Sequence, residues 1–105
     1  MQLNEYQDAA AEFAVYPSQE GLFYTALALN EEAGEVAGKV AKWVRKGRGH
    51  LDKEAVAKEL GDTLWQLARC AYECGYTLED IALMNLDKLY ARAAAGTIVG
   101  SGDNR

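Results

Sequence analysis

The stretch LALNEEAGEVAGKV, residues 27 to 40, decides how the rest of the chain is read. It has the composition of a helix. Yet three glutamates, Glu31, Glu32 and Glu35, crowd into its middle among Leu, Ala and Val. Acids on a helix normally occupy the wet face, because taking a charge out of water is costly. Their place beside apolar positions calls for a reason that lies outside this one helix.

Working outward, the 105-residue chain holds a single proline and no strand-like alternation of Val, Ile or Thr. The apolar periodicity is helical nearly throughout. A first helix is predicted from about Leu3 to Val15. YPSQEG (16–21) breaks it, since Pro17 cannot continue a helix, and Ser18 is placed to cap the next one. The second helix is predicted from about Glu20 to Arg45, followed by the glycine-containing loop KGRGH (46–50). Asp52 is a suitable N-cap for a third helix ending near Glu73. CGYT (74–77) ends it, and Thr77 with Asp80 has the spacing of a capping box for a fourth helix, Leu78 to about Ala94. The Gly-rich tail from about 96 to 105 reads as irregular. No repeat or internal boundary is visible, so residues 1–105 read as one domain.

Two long helices on a short link pack antiparallel. The expected fold is therefore all-α: an antiparallel bundle of about four helices, completed by homo-oligomerisation, since a chain this short buries only about two-thirds of its unfolded surface alone. The second helix has one apolar stripe, Leu29, Val36, Val40 and Trp43. Glu32 lies roughly 60° from it and Glu35 roughly 120°. The third helix has the stripe Val56, Leu60, Leu64, Leu67 and Ala71, its expected core face. Glu59 and Asp62 lie off that stripe, on the side that carries Trp65, and a tryptophan there predicts a second covered face.

The two long helices share a spacing. Glu32 with Glu35, and Glu59 with Asp62, are each i,i+3 pairs, which share one helix face. Antiparallel packing sets the pairs opposite one another, giving four carboxylates around a small volume. Left alone they repel and their pKa values rise. A hard divalent cation resolves this, and Mg²⁺ takes such oxygen ligands while retaining waters and substrate phosphates. Gly34 and Gly61 sit beside the acids, where an absent side chain admits a second helix or a ligand. The competing reading is a solvated face with Glu35–Lys39 and Glu54–Lys58 pairs at i,i+4, on a non-catalytic helical oligomer that acts through its second apolar face. A di-iron carboxylate site would require Glu-x-x-His, and neither acidic pair is followed by His.

The formal net charge is -5 and the sequence pI about 4.8. That argues against a nucleic-acid partner held by a basic face. No apolar run approaches the roughly 20 residues of a membrane span, and the N-terminus lacks the pattern of a signal peptide. Cys70 and Cys74, one turn apart, read as reduced thiols of a cytoplasmic protein.

EEAGE (31–35) and ELGD (59–62) resemble the two halves of the E-E-x-x-E … E-x-x-D signature of MazG-type nucleotide pyrophosphohydrolases, an all-α superfamily. NLDKLYAR (85–92) is similar to that family's N-x-x-K-L-x-x-R segment, so the resemblance spans residues 20 to 100. It implies Mg²⁺-dependent hydrolysis of (deoxy)nucleoside triphosphates between the α and β phosphates, giving the monophosphate and pyrophosphate, with Mn²⁺ as a substitute ion. Glu32, Glu35, Glu59 and Asp62 would be the metal ligands. Glu31, assigned as catalytic, is left between a second ion, the attacking water and a structural role. Lys88 and Arg92 would hold phosphate oxygens, with Asn85 near the metal or sugar, and Lys39 and Lys42 within reach of phosphate. A homodimer or homotetramer with sites near subunit interfaces is implied. Many members carry Tyr-Pro after the arginine of the third segment, where this chain has AAAGTIVG (93–100). Tyr16, Phe23, Trp43 and Trp65 are the aromatic candidates for stacking on a base, and His50 is the lone histidine.

Overall fold

The computed structural model describes residues 1–96, among which every regular element is helical. The elements are α1 (Leu3–Ala10), α2 (Gly21–Arg45), α3 (Lys53–Glu73) and α4 (Leu78–Ala95), with 3₁₀ turns at Ala11–Phe13 and Ser18–Glu20. The bounds of the three long helices follow the sequence reading closely. Asp52 caps α3 as expected, its carboxylate accepting from the Ala55 amide at 3.0 Å. The Thr77–Asp80 capping box at the start of α4 is formed in both directions. The expected irregular tail falls, apart from Gly96, outside the described residues.

The first helix stops at Ala10 rather than near Val15. Pro17 bars the helical conformation to the residue before it, and the chain unwinds through a 3₁₀ turn into extended backbone at Ala14. Ser18 does not cap α2. It begins a 3₁₀ turn instead, and backbone carbonyls take over the first amides, Pro17 O accepting from Glu20 N and Ser18 O from Gly21 N.

The chain is organised around the α2–α3 pair. Gly21, at the start of α2, lies against Glu73, at the end of α3, and a Cβ at Gly21 would collide with the Glu73 carboxylate. That close approach sets an antiparallel register. α1 and α4 pack together near this same C-terminal end of α3. Buried Ala68, Ala71 and Leu78 form the small core there, with Tyr6 and Ile81 against it. Buried Gln7 ties the junction together: its amide nitrogen donates to Ala68 O (3.0 Å) and Tyr76 O (3.2 Å), and its oxygen accepts from Leu78 N (3.0 Å). The covered tryptophan face is present and is provided by α1, since the Trp65 indole donates to Ala10 O at 3.1 Å.

The leucine stripe of α3 is not the core face. Leu60 is 53% exposed, and Leu64 and Leu67 are 37% exposed. The buried residues of α3 are Gln66, Ala68 and Arg69 together with Ala71, the one member of the expected stripe that is fully inside. Leu27 on α2 and Leu83 and Tyr90 on α4 are likewise exposed. α4 packs on α1 and α3 and not appreciably on α2, so the four helices do not close into a bundle within one chain. The radius of gyration, 16.4 Å, exceeds the roughly 13 Å of a compact chain of this length.

Candidate functional site

Counting inward from the Gly21–Glu73 contact sets Glu32 across from Asp62 and Glu35 across from Glu59. Three of these four converge. Glu32, Glu59 and Asp62 each offer a carboxylate oxygen, and the three oxygens lie within 4.8 Å of one another. Glu32 and Glu59 are half-buried and Asp62 is exposed. Partial burial pushes the Glu32 carboxyl above its ordinary pKa, and the charges of Asp62, Glu31, Glu59 and Glu35 push it the same way. No cation of the protein answers this cluster in the ion pairs of the described residues. The pair that forms is Lys58–Glu54 at 3.8 Å, on the outer side of α3, whereas the alternative Glu35–Lys39 pair is not made.

Glu35 is exposed and outside the triad, although its charge bears on Glu32. Glu31 is exposed too, and bears on Glu32 more strongly than Glu59 does. It borders a hollow of about 170 Å³ with Tyr24, Leu27 and Ala28. A Cβ at Gly34 or Gly61 would meet no atom within 4 Å. Neither glycine therefore serves close helix packing among the described residues, and the space beside the acids is open.

Lys39 and Lys42 line a cavity of about 450 Å³ with Lys46, His50, Asp52 and Trp43. It lies at the loop end of the helix pair, and Lys39 is about 10 Å along α2 from Glu32 at 1.5 Å per residue. The Trp43 indole donates to Gly49 O at 2.7 Å, and the Arg48 guanidinium lies 5.7 Å from the centre of its ring, so Trp43 holds the loop. Tyr16 stacks on Tyr24 at 5.3 Å. Phe23 is 69% exposed. Asn85, Lys88 and Arg92 follow one another along α4, which meets the acid-bearing pair through α3. Asn85 and Lys88 are exposed, Arg92 half-buried, and both cations are engaged in interactions.

The sequence reading missed Tyr6. Its hydroxyl is held above the usual tyrosine range, first by burial and then by the Asp62 charge, so α1 lies within electrostatic reach of the acidic site. The signal available was weak: an aromatic at the position of α1 one turn before the buried Ala10.

Three hard oxygen donors from two helices, two half-buried and one exposed, with no ion pair to a cation among the described residues, match the donor chemistry of Mg²⁺ or Mn²⁺ with open positions for water and phosphate oxygen. The family described as MazG nucleotide pyrophosphohydrolase domain matches residues 23–96, which contain all four acids and the Asn85–Arg92 segment. Gene 37 protein of Mycobacterium phage L5 is 40% identical over 114 aligned positions, covering 100% of both chains. No solved structure matches the chain.

Proposed function

The chain belongs to the MazG nucleotide pyrophosphohydrolase family, and from that premise we propose that it hydrolyses (deoxy)nucleoside triphosphates between the α and β phosphates with Mg²⁺ as cofactor. The observation that carries this reading is the convergence of Glu32, Glu59 and Asp62 oxygens within 4.8 Å across two helices. The non-catalytic reading calls for individually solvated acids, and the close approach of three carboxylates, one of them half-buried and raised in pKa, favours the cation-binding reading over it.

Glu32, Glu59 and Asp62 hold the ion, with Glu35 across from Glu59 at its edge. When bound, the ion neutralises phosphate charge and lowers the pKa of water. Glu31, exposed beside the triad, is assigned the orientation of the attacking water. Lys39 and Lys42 face the neighbouring cavity, where their ammonium groups pair with the leaving pyrophosphate end. Phosphoryl transfer depends mainly on positioning and charge neutralisation, and these residues supply both. Asn85, Lys88 and Arg92 are assigned to sugar and phosphate contacts on the resemblance of NLDKLYAR. The outward leucine stripe of α3 and the exposed apolar residues of α2 and α4 support a homodimer or homotetramer, in which a second copy covers them.

The test is pyrophosphate release from a panel of ribo- and deoxynucleoside triphosphates, including dUTP, phosphoribosyl-ATP and oxidised or methylated dNTPs, in Mg²⁺ and in EDTA. Release in Mg²⁺ alone is expected. No pyrophosphate from any compound, together with no effect of Mg²⁺ on thermal stability, would overturn the proposal.

A further inference from the structure

A second site lies on the far part of α3, away from the acids. A cavity of about 600 Å³ opens between α1 and the α3–α4 turn, lined by Arg69, Tyr72, Tyr76, Thr77, Asp8 and Gln7 among others. Arg69 is seven residues beyond Asp62, about 10 Å along the helix.

Arg69 is only 6% exposed. A guanidinium so far out of water is normally paired with an acid. Arg69 has no such ion pair among the described residues. Its Nε donates to the Tyr16 hydroxyl at 3.2 Å, and Tyr16 donates in turn to Glu73 Oε1 at 3.0 Å, so the nearest counter-charge is one hydroxyl removed. The guanidinium carbon lies 4.5 Å from the centre of the Tyr72 ring and 6.0 Å from that of Tyr16. Tyr16 and Tyr72 thus hold the plane of the group, and Nε is satisfied. The two terminal nitrogens have no hydrogen-bond acceptor among the described residues. They are not sealed in either, because the fully buried side-chain atom without a partner there is Gln66 Oε1. Their opening is the cavity that Arg69 lines.

We propose that this cavity is an oxyanion site, in which the free fork of Arg69 takes a phosphate or carboxylate group bidentately. The planar fork matches two oxygens of such a group. Tyr72 and Tyr76, both exposed, flank the bound anion. The Thr77 hydroxyl accepts from Asp80 N and keeps its own hydrogen to donate. Gln7 shapes the wall and binds nothing more, since its amide is already committed to Ala68, Tyr76 and Leu78. Asp8, exposed on α1, opposes the anion and limits its affinity.

The site is tested with isotopically labelled protein in EDTA, which removes metal-dependent binding at the acidic triad. Inorganic phosphate and, separately, acetate are titrated at constant ionic strength, with the Arg69 Nε–H and the amides of Tyr72–Thr77 followed by NMR. Saturable shifts confined to these groups are expected from at least one anion, and the responding anion identifies which oxyanion is held. Arg69→Gln should weaken binding roughly tenfold or more, the value of a charge-assisted hydrogen bond. Asp8→Asn should tighten it about threefold by removing a nearby like charge. Asp62→Asn should leave it unchanged. Absence of saturation by both anions, equal binding by Arg69→Gln, no gain with Asp8→Asn, or loss with Asp62→Asn would each overturn the proposal. Should Arg69→Gln not fold, the Asp8→Asn titration decides, because that exposed position tolerates the change.

Discussion

Replacing Glu32 by Gln should make the metal-free protein more stable and abolish its stabilisation by Mg²⁺. The substitution keeps the shape of the side chain and removes one of three charges whose oxygens lie within 4.8 Å of one another. In water-like surroundings two charges at that distance repel by about 0.9 kcal/mol, and Glu32 takes part in two such pairs. Salt at physiological strength screens roughly half of this, leaving about 1 kcal/mol. For a domain of this size that raises the melting temperature by about 4–8 °C. Mg²⁺ at ten times its dissociation constant stabilises the wild type by about 1.4 kcal/mol, and a variant that no longer binds gains nothing. The two proteins should therefore exchange rank, the variant melting higher in EDTA and the wild type higher in Mg²⁺. Thermal melts read this directly, with NaCl matched to the ionic strength of the MgCl₂ so that screening does not imitate binding. A variant that melts below the wild type in EDTA, or gains as much from Mg²⁺, would show that the triad is neither strained nor a metal site.

The same triad governs pH dependence. Because the folded pKa of Glu32 is raised, its contribution to stability is full below the unfolded value, about 4.3, and is lost as pH rises through the folded value. The difference in melting temperature between wild type and Glu32→Gln in EDTA should therefore widen from acidic to neutral pH, and a flat difference would contradict it. Asp62→Asn should lower Mg²⁺-dependent pyrophosphate release by roughly 100-fold or more while circular dichroism stays helical. Asp52→Ala should cost about 1 kcal/mol through loss of the α3 cap, seen as a lower melting temperature with the residual activity of folded protein intact. Leu64→Glu should shift the assembly toward monomer in light scattering; an unchanged mass would show that this stripe is not the surface a second copy covers.

The helix bounds were legible because their signals are local. Asp52, Thr77 and Asp80 are cap residues at cap positions, and their hydrogen bonds formed as expected. The facing of the acids was legible because two long helices on a short link have one way to pack. The end of α1 was not, since its apolar period runs past Ala10 while the backbone tightens into a 3₁₀ turn at Ala11–Phe13 and then becomes extended at Ala14. Periodicity also marked the leucine stripe of α3 without revealing which side α2 would take. Glu35 shows the limit of spacing: i,i+3 puts it on the face of Glu32, yet its side chain stays exposed outside the triad. The Arg69–Tyr16–Glu73 chain joins residues 53 and 57 positions apart, and no local pattern announces it.

The misread leucine stripe and the acidic triad are one geometric fact. At 100° per residue, Leu60 and Leu64 each lie about 160° around α3 from Asp62. A helix cannot turn both sides to the same neighbour. Rotating α3 to bury Leu60 and Leu64 against α2 would swing Asp62 away from Glu32 and dissolve the triad. The observed rotation does the reverse: it brings Asp62 and Glu59 to Glu32 and leaves the leucines facing out. A fold that chose core burial within one chain would have taken the first arrangement. The second leaves an apolar surface uncovered along α3, with Leu27 on α2 and Leu83 on α4 also exposed. The proposed cation site and the proposed self-association are in this sense a single design, the first fixing the rotation that makes the second favourable. Disruption of assembly by Leu64→Glu should for that reason loosen the triad as well, and weaken Mg²⁺ stabilisation without touching any of its ligands.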